Sequence, residues 1–87
     1  LHEAALSGQL SLAQAILAAG GDLNAQDKRG RTPLHEAARK GRVAIAQYLL
    51  HSGARPDIKD GLGLTPADTA KAATQWSVAN VLAAAGD

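Results

Sequence analysis

The apolar positions of the chain fall in short stripes rather than in one long run. Leu34, Ala37 and Ala38 share one face of a helix of about two turns. Ile45, Ala46, Leu49 and Leu50 make a second such stripe in the stretch that follows. Thr32 stands where an N-cap hydroxyl accepts from the first turn, and Pro33 takes the first helical position, where a missing N–H is harmless. Gly41 and Gly53 end the two stripes. The pattern predicts two short helices joined by a tight turn. On either side, 20–31 and 53–64 are rich in Gly, Asp, Asn and Pro, with turn signals around Gly30 and Gly63, which predicts extended, hairpin-like loops.

The pattern recurs along the chain. Displacing the sequence against itself by 33 residues gives 18 identities in 54 pairs, where this composition gives roughly six by chance. Leu1-His2-Glu3-Ala4-Ala5 returns as Leu34-His35-Glu36-Ala37-Ala38, and Asp27, Gly30, Thr32 and Pro33 return as Asp60, Gly63, Thr65 and Pro66. Three units are expected: 1–26 without its opening, 27–59 complete, and 60–87 stopping early. Because Leu1 falls in the middle of the motif, the chain is expected to be a piece of a longer one. Helices this short do not hold alone in water, so each unit must bury its stripe against the next. Composition agrees with such a stack. Alanine fills 20 positions, Phe, Met and Cys are absent, and Tyr48 and Trp76 are the only aromatic residues, too few for one large core. Ala4, Ala5, Ala37, Ala38 and Ala70 would let the first helices of neighbouring units approach closely.

The run from Asp27 to Gly41, continued by Tyr48-Leu49-Leu50-His51-Ser52-Gly53-Ala54, resembles an ankyrin repeat, and the resemblance extends over the whole chain. It implies an all-α, helix-turn-helix solenoid with hairpin-like loops between repeats. It also implies a non-catalytic binding scaffold whose partners touch the loop tips and the concave side of the first helices. Matched position by position, that surface is Gln26, Lys28, Arg29, Arg31, Arg39 and Lys40 in the second unit, and Leu6 and Ser7 in the first. In the third it is Lys59, Gly61, Leu62, Leu64, Ala72 and Ala73. The third unit departs from the pattern: Ala67-Asp68 replaces the Leu-His pair, Thr74 replaces a glycine and Trp76 a smaller residue. A capping unit is expected there. The resemblance further implies that His2 and His35 tie loop to helix start by hydrogen bonds.

Net charge is only +1, yet six of the nine basic residues lie between Lys28 and Arg42. Such a cluster predicts a one-sided positive field that steers and holds an acidic partner protein or peptide. The competing reading is a solvated face offset by Asp27, Glu36, Asp57 and Asp60. Leu62 and Leu64 on the next loop tip suggest an apolar anchor beside the charges, unless they pack on their own hairpin. The candidate partner-binding set is therefore Gln26, Lys28, Arg29, Arg31, Arg39, Lys40, Lys59, Leu62 and Leu64.

Other functions find less support. Nucleic-acid binding through the same patch is the alternative, but only one unit is basic and no aromatic platform interleaves the charges. A repeat scaffold without a natural ligand is a further alternative. No catalytic or metal residue and no cofactor is expected: the histidines stand a full repeat apart without cysteines to complete a site, the glycines precede no Lys-Ser or Lys-Thr, and the serines lack a nucleophile elbow. Tyr48 and Trp76 are expected to pack, and His51 to meet the carbonyls ending its helix. Apolar runs such as Val81 to Ala85 are far too short to span a membrane. The lack of cysteine points to an intracellular setting, and an uncapped end around Leu10, Leu12 and Ile16 to self-association.

Overall fold

In the computed structural model, which describes residues 1–86, six helices follow one another: α1 (His2–Ser7), α2 (Leu10–Ala18), α3 (Pro33–Lys40), α4 (Val43–His51), α5 (Pro66–Ala72) and α6 (Trp76–Gly86). No strand occurs among the described residues. The helices pair as α1 with α2, α3 with α4 and α5 with α6, and the pairs stack side by side. Helices α1, α3 and α5 form one layer, and α2, α4 and α6 form the other.

The cap chemistry explains where α3 begins. Thr32 is extended, its hydroxyl accepts from the His35 N–H, and the His35 ring accepts at Nδ1 from the Thr32 N–H at 3.0 Å. Helix α5 starts in the same way, with Thr65 accepting from the Asp68 N–H and the Asp68 carboxylate accepting from the Thr65 N–H, both at 3.2 Å. Each box satisfies donors that the first turn leaves without intrahelical partners.

Alanine sets the spacing of the first layer. Ala4, Ala5, Ala37, Ala38 and Ala70 are all fully buried, as their recurrence predicts. The larger core side chains come from Leu34, Ile45, Leu49, Val78 and Leu82, four of them on the second-layer helices. Leu50 is half-buried at the edge of the same stripe.

Histidine links one pair to the next. A carbonyl can only accept, so the His35 Nε2 donates to Leu64 O at 2.8 Å, which fixes Nδ1 as the acceptor inside the cap. His2 makes the equivalent contact to Arg31 O at 2.6 Å. The loop that each of these histidines ties to its helix start is the loop of the next unit.

Three expectations are corrected. Trp76 is 59% exposed rather than packed, because it opens α6 at the edge of the stack. His51 is exposed, and Ser52 meets the end of α4 instead, through its N–H and its hydroxyl on Tyr48 O. Tyr48 packs only in part. On the outer side of the first pair, Leu12 is 42% exposed while Leu10 and Ile16 are half-buried.

Candidate protein-binding face

Two loops carry the candidate residues other than Arg39 and Lys40, which end α3, and an aspartate builds each loop. The Asp27 carboxylate accepts from the N–H groups of Arg29 and Arg31 at 2.9 and 3.0 Å, while its own N–H donates to Arg31 O at 2.9 Å. Asp60 repeats this with Leu62, Leu64 and Leu64 O at 2.9, 3.0 and 2.9 Å. Both segments therefore close into the same hairpin-like turn. They are also fastened to each other, since Gly61 N–H donates to Arg29 O at 2.8 Å. Gly30 makes that approach possible. Its φ is +77°, and a Cβ there would stand 2.9 Å from the Gly61 nitrogen.

The same backbone therefore presents different side chains at corresponding positions. In the second pair, Arg31, Glu36 and Arg39 form a charged triad: the Glu36 carboxylate lies 3.8 Å from Arg31 and 3.1 Å from Arg39. One repeat later the corresponding positions hold Leu64, Thr69 and Ala72, and the wall turns apolar. Glu36 is buried, so desolvation would penalise its charge heavily without the two guanidinium partners.

Around this triad the surface is concave. A groove of ≈ 490 Å³ opens over His2, Leu6, Lys28, Arg29, Arg31 and Arg39. A second recess of ≈ 380 Å³ lies between the hairpin tips, and a third of ≈ 200 Å³ runs along α5 past Leu64, Ala72 and Ala73. Arg31 borders all three.

The candidate residues accordingly separate. Lys28 and Arg29 are exposed, line the groove and enter no ion pair among the described residues. Arg31 and Arg39 line it too, and both are held by Glu36. Leu62 is 78% exposed, and Leu64 is half-buried at the mouth of the third recess. Gln26 is exposed and donates from Nε2 to Gly30 O at 3.0 Å, bracing the hairpin. Lys40 and Lys59 are exposed but border none of the three depressions.

Sequence reasoning did not single out Glu36 as an anchor or Thr69 as a wall. The spacing of Glu36 and Arg39, three apart on one helix, was a usable signal for the first. Nothing in the sequence signalled Thr69. The compensating role expected of Asp27 and Asp60 is also refined, because their carboxylates hold turn N–H groups. At Asp27 partial desolvation pushes upward, but the N–H groups of Arg31 and Arg29, helped by nearby positive charge such as that of Arg31, together hold the carboxyl below the usual carboxylate range.

A family model described as ankyrin repeats, in three copies, matches residues 1–87. The chain belongs to the ankyrin repeat family. Ankyrin repeats are in general protein–protein interaction modules, and the family is typically non-enzymatic. No curated protein matches the chain. No helix among the described residues is long and apolar enough to cross a membrane. Nor do three or more His, Cys, Asp or Glu side chains gather there as a metal site would require.

Proposed function

We propose that this ankyrin domain binds an acidic protein segment along the groove beneath its first hairpin, with an apolar residue of that segment reaching the second. One observation carries the reading: Lys28 and Arg29 stand on a braced hairpin, exposed and without an ion pair among the described residues, beside the ion-paired Arg31 and Arg39. Two free cations backed by two fixed guanidinium groups favour carboxylates, by steering at long range and by forked hydrogen bonds at contact. Leu62, one loop further on, supplies the apolar neighbour.

The face is less positive than the cluster of basic residues suggests. Glu36 offsets the charge of Arg31 and Arg39, and Glu3 and Asp27 border the same groove. This balance also weakens the nucleic-acid alternative, because a phosphate backbone requires a surplus of cations along its whole track.

The test follows from which cations are free. A labelled Glu-Glu-Leu-Glu-Glu peptide is titrated into the wild-type chain and into Lys28→Glu/Arg29→Glu, at low and high salt. Binding should fall by about tenfold or more in the variant and weaken with salt, while the melting temperature stays nearly constant. Equal binding by both proteins would remove the proposal. Reversing Arg31 or Arg39 is the wrong experiment, since it would strand the buried Glu36 beside a like charge.

A further inference from the structure

The recess between the hairpin tips has three unlike walls. Leu62 supplies an apolar one and keeps most of its surface open to solvent. Arg29 and Arg31 supply a cationic one, with Arg29 in no ion pair among the described residues. Asp60 supplies the third: its Oδ1 is taken by the N–H groups of Leu62 and Leu64, and no hydrogen bond engages Oδ2 among the described residues. The bond from Gly61 N–H to Arg29 O fixes these walls relative to one another.

Few side chains suit all three. An aliphatic group satisfies Leu62 but dehydrates the guanidinium groups without giving them a partner. A carboxylate suits the arginines yet confronts Asp60 and Leu62, and an ammonium has the opposite conflict with the arginines. An aromatic ring matches each wall: its negative face stacks on a guanidinium plane, its body covers Leu62, and its positive edge faces the carboxylate. Tryptophan and tyrosine add an N–H or O–H that can donate to Asp60. The volume of ≈ 380 Å³ has room for one such ring.

We propose that this recess takes a tryptophan or tyrosine side chain of the bound protein, which makes the anchor aromatic rather than merely apolar. The inference rests on the acidic-partner reading above and specifies it. A nucleobase also has a π-face, but ankyrin repeats are in general protein–protein interaction modules, so a protein ring is favoured.

The test uses the whole chain and a series of labelled peptides, Glu-Glu-Xaa-Glu-Glu with Trp, Leu or Ala at the centre, beside a short oligothymidylate. The Trp peptide should bind about fivefold or more tightly than the Leu peptide. Arg29→Lys, which keeps the charge but removes the planar fork, should erase that advantage while acidic binding persists. Leu62→Ala should reduce it as well, and because Leu62 is exposed the fold should survive. Equal affinity of the three peptides would overturn the aromatic anchor and leave the acidic-partner reading standing. A Trp advantage untouched by both substitutions would also overturn it, as would oligothymidylate binding as tightly as the Trp peptide. If no peptide binds at all, both readings fall together.

Discussion

The second and third helix pairs share a backbone plan but not a set of bonds. Helix α3 begins with Thr32 and His35, and α5 begins with Thr65 and Asp68, in the same reciprocal cap. Histidine has a second nitrogen some distance from the first, so His35 closes its own cap and also reaches Leu64 O in the next hairpin. Aspartate is shorter and, when ionised, donates nothing. Asp68 closes the cap with its carboxylate alone. Helix initiation and the bond to a following hairpin are thus separable tasks, and in the second pair His35 performs both.

Exchanging the two residues tests that separation. His35→Ala should cause the largest loss, about 2–4 kcal/mol, since it removes both bonds of a fully buried side chain and leaves a void. His35→Asp should retain part of the cap and lose the forward bond, at a cost of about 1–3 kcal/mol. Asp68→His, at a half-buried position, should change stability by no more than about 0.5 kcal/mol. Urea titrations of the three variants give the ranking, and an Asp68→His loss as large as that of His35→Asp would break the comparison.

What the sequence disclosed divides along the same line. Caps, turns and alanine spacing were legible because each depends on residues a few positions apart or one repeat apart: Thr32 with His35, Gly41 after α3, Ala37 above Ala4 and below Ala70. The binding face was legible as a set of positions but not as a set of charge states. Arg31 reaches Glu36 from outside α3, just before the Thr32 cap, so the helical spacing that pairs Glu36 with Arg39 does not encode it. Trp76 was misread for a related reason. Its place at the start of a second helix resembles that of the half-buried Val43, and the burial of such a position depends on what lies beside it in the stack.

The turns between paired helices offer a smaller contrast. After α3 the chain passes through Gly41 with φ +70°, whereas after α5 it passes through Thr74 with φ +57°. A β-branched residue is strained there, and glycine is not. Gly41→Thr should destabilise by about 1–2 kcal/mol from backbone conformation alone, and its side chain would also displace the Gln75 amide that packs over the glycine. Thr74→Gly should act in the opposite sense and stabilise by up to about 1 kcal/mol. Thermal melts of the pair decide the matter. Two shifts of the same sign would mean that the surroundings, rather than the left-handed backbone, govern this turn.

Acid should distinguish the two caps by the smallest margin. The Asp68 carboxyl is held below the usual carboxylate range, first by the Thr65 N–H it accepts from and then by the Thr65 hydroxyl, against a weaker opposing desolvation. A lowered folded-state value means that the unfolded chain binds the proton more readily. The stabilisation is therefore complete well above about pH 4 and drains away as the pH falls through the folded-state value. Asp27 has the same sign, so its hairpin loosens over the same acid window. Asp68→Asn removes the titrating group, and its melting temperature should fall less between pH 5 and the acid limit than that of the wild-type chain, as estimated from linkage. Were the two acid profiles to run parallel, the cap of α5 would owe nothing to the charge of Asp68, and the contrast with His35 would reduce to reach alone.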